Sequence, residues 1–464
     1  MTHPAPGSRD GRAPLTGWQA GALVVGSMIG TGVFTTNGLL SATVGGSSTA
    51  VLLVWILGGV IALCGAAVYA EIGGMFPQVG GEYVYLSRAF HPAVGFVSGW
   101  LALLVGFAAP VAAGAHAFGR YLQAALPGAV PRGFAIWAGV ALVVTVSVIH
   151  ARDVVWAARL QLVATAMTVL IMLAIVVVGG AIIVSGGASI TPVTTAAPAP
   201  VTAAGIAVGL VLVSYSYFGW NAAAYVAGEL ANPQRTLPRA LLAGCALVTV
   251  VYVAINAVFL AALPPEALAG KVEVAHVVAQ ALLGEGAARG LSLVIAFVLA
   301  GSVSALVMTG PRVYLAMARD RQFFALFGRR NARGAPAAGV WLQGGLALVL
   351  LLSAGFDALL LYVGFTLSLS AAATVAATVW LRRTQPTQPR PYRAPLWPLP
   401  ALLFFALSAW MAVHAALERP RETAAGALTL GAGFITYAFW QRVRGRDPGS
   451  DADSTSEGSH EDHR

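Results

Sequence analysis

The chain has 464 residues, 58% of them hydrophobic and 10% charged, with a net charge of +9 and a mean hydropathy of +0.78. Soluble domains run nearer ~45–50% apolar and ~25% charged, so a soluble enzyme or a nucleic-acid-binding domain is excluded and the basic excess must come from topology. What remains is an all-α integral membrane protein. The ~10-residue alternating segments of a barrel are absent, and 53 glycines suit closely packed, interrupted helices.

Charge-free runs place the spans, since a helix needs ~20 apolar residues to cross a bilayer. The 58 residues from Ala13 to Ala70 and the 69 from Leu160 to Gly228 contain no Asp, Glu, Lys or Arg, so each holds two spans. Single-span gaps follow Arg88, Arg132, Arg239, Arg289, Arg333, Asp357, Arg393 and Glu422. The prediction is 12 transmembrane helices in one membrane domain over 15–442, after a cytoplasmic tail at 1–14. They cover 18–43, 48–71, 93–120, 133–150, 157–184, 202–229, 239–263, 290–316, 337–356, 358–381, 396–417 and 423–441. Between the second and third, 72–92 is amphipathic and belongs at the cytoplasmic surface. The external segment 264–289 has room for a short lid helix. Residues 443–464 are polar and acidic (Asp451, Asp453, Glu457, Glu461, Asp462), the composition of a disordered tail.

Short cytoplasmic loops collect positive charge. With both termini inside, the cytoplasmic stretches up to Arg446 hold 19 arginines, against 6 basic residues outside (Arg120, Arg132, Lys271, Arg289, Arg419 and Arg421). The first span, some 26 residues, lacks the short apolar stretch and cleavage site of a signal peptide. Cys64 and Cys245 fall inside spans, which predicts packing roles and no disulfide. Arginine supplies 26 of the 27 basic residues, a bias of GC-rich bacterial genomes, so the expected location is a bacterial cytoplasmic (inner) membrane.

Two spans are interrupted at corresponding places. The first carries Gly26-Ser27-Met28-Ile29-Gly30-Thr31-Gly32, and the sixth carries Ser214-Tyr215-Ser216-Tyr217-Phe218-Gly219-Trp220-Asn221. Each glycine costs a helix ~1 kcal/mol relative to alanine, and unpaired backbone in lipid needs partners or a polar cavity. Interrupted spans at matching positions of two halves mark the substrate site of an inverted-repeat transporter. Glycines that only permit close helix packing are the alternative.

Four motifs in order along this pattern carry a family resemblance. They are Gly26-Ser-Met-Ile-Gly-Thr-Gly-Val-Phe34, Phe76-Pro-Gln-Val-Gly-Gly-Glu-Tyr-Val-Tyr-Leu86, Gly228-Glu-Leu-Ala-Asn-Pro-Gln-Arg-Thr-Leu-Pro238 and Gly310-Pro-Arg-Val-Tyr-Leu-Ala-Met-Ala-Arg-Asp320. From about Leu15 to Trp440 the chain resembles the amino acid–polyamine–organocation (APC) superfamily of permeases. The resemblance implies a five-plus-five inverted repeat of the LeuT type with broken helices 1 and 6. Repeat one is then about 15–184, repeat two about 202–381, and two extra helices occupy 396–441.

A zwitterionic amino acid suits such a site on physical grounds. Exposed N–H groups at a half-helix N-terminus favour its carboxylate, and unwound carbonyls favour its ammonium. The resemblance implies that Thr31 and Gly32, beside Gly30, hold the carboxylate and the backbone of Ser27 and Ile29 the amine. It also implies carbonyls from Tyr215 and Phe218, and a side-chain pocket shaped by Tyr217, Trp220 and Asn221. Core packing is the plain alternative for Tyr217 and Trp220.

Ionisable groups inside the membrane mark function by default, and almost none is present. His116, Arg120, His150 and His414 lie near span ends and read as satisfied or interfacial. No acidic residue is visible in the pocket, which favours neutral L-amino acids over cationic ones or polyamines. Many relatives place a lysine midway along span five; aligning on Trp156 to Gln161 puts Thr168 there. Coupling to sodium or a proton then falls to Thr168 with Ser302 and Ser304 of span eight, or is absent. Helix–backbone hydrogen bonding is the equal alternative for these hydroxyls. Glu82, Glu229, Arg235, Arg239, Arg319 and Asp320 read as an inner gate of ion pairs, each worth ~0–1 kcal/mol.

The leading reading is an amino acid permease working by alternating access, as symporter, exchanger or uniporter, with no cofactor, metal or nucleic-acid partner. An intramembrane enzyme would need a Ser/Lys pair, an in-span Asp pair or a zinc motif, and the sequence has none. A substrate sensor that keeps the transporter fold is the remaining alternative.

Overall fold

The computed structural model describes residues 15–128, 130–152, 166–186 and 200–444. The N-terminal tail, the stretch holding Trp156 to Gln161 and the acidic C-terminal tail lie outside the described residues.

The first span enters through a capping box: the Thr16 hydroxyl accepts from Gln19 N–H, and the Gln19 side chain accepts from Thr16 N–H. Helix α1 (Gly17–Met28) then stops, and α2 (Gly32–Thr43) resumes at a bend of 41°. Next come α3 (Ser48–Met75), the short α4 (Glu82–Ala89) and α5 (Pro92–Ala125). Within α5, residues 102–108 widen to a π-turn, where Ala109 N–H reaches back to Leu104 C=O. Pro110 follows directly and has no N–H to hold a tighter turn. Helices α6 (Phe134–Arg152) and α7 (Ala166–Val184) complete the first half.

The second half repeats the interruption. Helix α8 (Ala203–Tyr217) ends, the four turn residues 218–221 follow, and α9 (Ala222–Tyr225) is a single helical turn. Asn232, in the left-handed region at φ 50°, turns the chain into Pro233 at the head of α10 (Pro233–Ala262), where the residue before a proline avoids helical geometry. The rest are α11 (Pro265–Leu268), α12 (Val274–Leu283), α13 (Glu285–Arg319), α14 (Ala337–Ser353), α15 (Phe356–Thr384), α16 (Leu399–Glu418) and α17 (Pro420–Arg444).

Among the described residues, eight helices are long and apolar enough to cross a membrane, and the bent pair α1–α2 makes nine. The 12 spans expected from charge gaps outnumber these. Helix α8 halts at its interruption after 15 residues, α14 has only 17, and α17 carries Arg421, Glu422 and Arg442 in its end turns.

Both ends of the interrupted pair are covered. At one end the backbone sews the start of α1 to the chain after α9: Leu15 N–H donates to Glu229 C=O and Ala231 N–H to Leu15 C=O, each at 2.8 Å. Gly80 N–H donates to Tyr225 C=O at 3.0 Å beside them. At the other end α11 and α12 lie over α2. Gly270 N–H donates to Gly38 C=O (2.9 Å), Tyr121 Oη donates to Phe34 C=O (2.7 Å) and accepts from Ala275 N–H (3.2 Å), and Arg120 pairs with Glu273 at 2.8 Å. The segment 264–289 thus forms two short helices, α11 and α12, ahead of α13, where one lid helix was expected. Elsewhere, fully buried Glu71 ties α3 to the last turn of α15 through Arg382 Nη2 (2.5 Å) and to the chain beyond it through Arg390 (3.6 Å) and Ala394 N–H (2.8 Å).

Candidate functional site

The two interruptions face each other. Thr31 Oγ1 lies 2.6 Å from Tyr215 Oη, and Thr36 Oγ1 lies 2.9 Å from Ser216 Oγ, both pairs buried. Gly32 is required here, because a Cβ on it would overlap the Ser216 backbone. Gly219 sits at φ 101°, and a Cβ there would stand 2.5 Å from the Ser27 carbonyl oxygen. The first N–H groups of α2 have no intrahelical acceptor, and Thr31 places no side chain over them. They form an uncapped positive helix end at Thr31 and Gly32.

A residue that the motif reading missed ties both interruptions together. Tyr252 Oη of α10 lies 2.6 Å from Met28 C=O and 3.1 Å from Ser216 C=O. Asn256, one turn on, lies 2.5 Å from the Asn37 side chain of α2. A Tyr and an Asn four apart share one helix face, and two polar groups on one face of an otherwise Val- and Ala-rich span were the available signal.

Tyr217 and Trp220 lie apart from Thr31 and Tyr215. Tyr217 Oη donates to Trp55 C=O (2.8 Å), with its ring between Trp55 and Tyr252. The Trp220 ring meets Tyr69 edge-on at 4.7 Å and reaches Gly65 and Phe404. For Tyr217 the reason is helical geometry: α8 continues through it, and residues two apart on a 3.6-residue turn face roughly opposite sides.

Glu82 is where the gate reading changes most. It was expected to meet arginines at the surface, yet it is 5% exposed and bonded to Tyr69 Oη (2.7 Å), Asn221 Nδ2 (2.9 Å) and Ser370 Oγ (2.7 Å). Gly81, at φ 53°, turns α4 under the sixth-span interruption and carries the carboxylate inward. Burial pushes this carboxyl up, and hydrogen bonds from Ser370, Tyr69, Asn221 and Ser98 pull it back. The ion pairs among the described residues are Arg120–Glu273, Arg289–Glu285 and those of Glu71 with Arg382 and Arg390. The expected pairs among Glu229, Arg235, Arg239, Arg319, Asp320 and Glu82 are therefore not formed. Glu229, Arg235, Arg239 and Arg319 are exposed. Asp320 takes a hydrogen bond from Tyr83, whose hydroxyl is pushed up to about 12, first by burial and then by the Asp320 charge.

Comparison with known proteins bears on this geometry. The family model described as amino acid permease matches residues 15–435. The chain belongs to the amino acid permease family. It is 30% identical over 430 residues to the rat large neutral amino acids transporter small subunit 2, covering 90% of this chain and 79% of that protein. Mouse Asc-type amino acid transporter 1 is 28% identical over 430 residues (90% and 80%). Human cystine/glutamate transporter is 29% identical over 394 residues (83% and 76%).

In this permease the three hydroxyls considered for coupling have different neighbours. Ser302 Oγ faces the first interruption, 3.3 Å from where a Cβ on Gly30 would stand. Ser304 Oγ lies 2.8 Å from His150 Nε2, which gives the buried histidine its partner. Thr168 is buried in α7. His116 Nε2 lies 3.1 Å from Ala354 C=O. Among the described residues, no three His, Cys, Asp or Glu side chains cluster as metal ligands would.

Proposed function

We propose that this permease moves neutral L-amino acids across a bacterial cytoplasmic membrane by alternating access, with both termini on the cytoplasmic side. The observation that carries the reading is the pair of facing interruptions, latched by Thr31–Tyr215 and by Tyr252 across Met28 and Ser216. The uncapped α2 terminus at Thr31 and Gly32 receives the substrate carboxylate, because unpaired N–H groups and the helix dipole favour an anion there. The carbonyls at Ser27, Ile29, Tyr215 and Phe218 receive the ammonium. Tyr217 and Trp220 brace the end of α8 from behind, and Asn221 bounds the inner side of the cavity.

A neutral side chain fits because the carboxylate nearest the interruptions, Glu82, already accepts three hydrogen bonds. The relatives named for large neutral amino acids support the same choice. The proposed architecture is 12 spans in a five-plus-five inverted repeat, with α8–α9 and the shorter α14 among the crossing segments. Residues at the covered end near Leu15 and Glu82, with Glu229, Arg235, Arg319 and Asp320 around them, form the inner gate; α11 and α12 form the outer lid.

The test is uptake of a panel of labelled amino acids into proteoliposomes, each with and without internal substrate, sodium and a pH gradient. Uptake of neutral members is expected. Specific binding with no uptake under any gradient would replace the transporter with a sensor.

A further inference from the structure

Lys271, the chain's one lysine, lies between α11 and α12, outside both interruptions. Transport against a gradient then needs another group whose surroundings change between states. Glu82 is the buried carboxylate that has no cationic partner among the described residues. The other fully buried carboxylate, Glu71, is neutralised by Arg382 and Arg390. The groups around Glu82 come from every element packed on it. The ionisable ones are Tyr69 of α3, Tyr85 of its own helix and Tyr225 of α9, all uncharged near neutral pH. Ser98 of α5, Ser370 of α15 and Asn221 supply neutral donors. A carboxylate taken from water without a cation favours its protonated form.

Its position makes that preference conformation-dependent. Asn221, a donor to Glu82, belongs to the sixth-span interruption itself, so movement of that segment uncovers the carboxylate, and the water that enters favours the anion by more than the lost donor disfavours it. Gly80 and Tyr225 are bonded backbone to backbone beside it, so opening this end exposes the same place. A group whose proton affinity differs between two states links the equilibrium between them to pH.

Building on the transport reading, we propose that Glu82 is the proton-coupling residue: it holds a proton while buried against Asn221 and releases it to cytoplasmic water when the inner gate opens. One proton then enters with each substrate. As a carboxylate Glu82 accepts from Tyr69, Asn221 and Ser370; as an acid its own O–H needs an acceptor, which the Ser370 hydroxyl supplies by rotating. The proton comes from water on the outer side and goes to water on the inner side, and no other bond is made or broken.

Full-length protein in proteoliposomes, with a trapped pH-sensitive dye and a labelled amino acid that it carries, tests this. With the membrane potential clamped, an inward gradient of one pH unit is expected to give about tenfold accumulation, as one proton per substrate requires. The lumen acidifies as substrate enters, and Glu82→Gln abolishes both responses. Wild-type uptake or exchange without acidification overturns the coupling while leaving the transport reading intact. Acidification that persists in folded Glu82→Gln does the same. Wild-type protein that moves no amino acid at all fails at the transport reading, and the coupling falls with it. If Glu82→Gln does not fold, Ser370→Ala decides: losing a donor to the anion is expected to raise the midpoint of the uptake–pH profile by about 0.7 unit, and an unmoved midpoint overturns the assignment.

Discussion

At Thr31 a single hydroxyl joins the two interrupted segments, since its bond to Tyr215 crosses from α1–α2 to α8. The surroundings are tight, with Gly114 of α5 just behind its methyl group. Thr31→Trp is therefore expected to fill the space proposed for the substrate carboxylate. Uptake should fall to background while the purified protein still elutes as a single sharp peak, and uptake at the wild-type rate would remove Thr31 from the site. Trp220 calls for the opposite outcome. Its ring packs on Tyr69, Gly65 and Phe404 and is 4% exposed, so Trp220→Ala removes a large buried side chain at a cost of about 3–5 kcal/mol. A lower melting temperature, with substrate preference unchanged in whatever folded protein remains, is the expected result. A changed preference at unchanged stability would return the ring to the substrate pocket.

At the scale of elements, charge-free gaps predict helices well because lipid excludes ionised groups, and most spans expected from them coincide with helices here. The gaps do not register where a helix stops inside lipid, so the true length of α8 came only from the structure. The interruptions themselves were legible, since Gly26, Gly30 and Gly32 crowd one stretch and Gly219 another. Glu82 was not, because the stretch 72–92 around it reads as amphipathic and surface-bound, and only the turn at Gly81 shows the carboxylate driven inward. The end of α15 was equally opaque: Arg382 falls just past the expected span 358–381, yet it forks onto buried Glu71 at 2.7 and 2.5 Å and stacks on Trp397 at 3.8 Å. Removing one partner of a buried pair leaves a bare charge behind, at about 3–5 kcal/mol. Arg382→Ala should therefore lower thermal stability far more than Arg289→Ala, whose partner Glu285 is 44% exposed. Equal melting temperatures for the two variants would show that the buried pair does not hold the end of α15 to α3.

For the whole molecule, the decisive feature is that the interruptions are covered at both ends by few bonds of ordinary strength. The lid end relies on one exposed ion pair, a shared tyrosine hydroxyl and one backbone bond; the other end relies on three backbone bonds at Leu15, Ala231 and Gly80 and on the side-chain bonds Asn221–Glu82 and Tyr85–Ala224. A hydrogen bond nets only about 1 kcal/mol, so either end can open without unfolding the helices, and thermal motion or substrate can decide which. This weakness is what alternating access requires, since a gate held by a buried ion pair such as that of Glu71 would stay shut. Leu15→Pro tests it at one end only, because proline keeps the chain's course but has no N–H to give Glu229. With Cys64 and Cys245 replaced by alanine and a cysteine at Ser27, a membrane-impermeant maleimide applied from the N-terminal side should label Leu15→Pro about fivefold faster than Leu15→Ala, which keeps its N–H. Labelling from the opposite side should be unchanged or slower, since a population shifted toward one opening is withdrawn from the other. Faster labelling from both sides would mean that the substitution loosens the fold as a whole, and that the strap at Leu15 is not a gate.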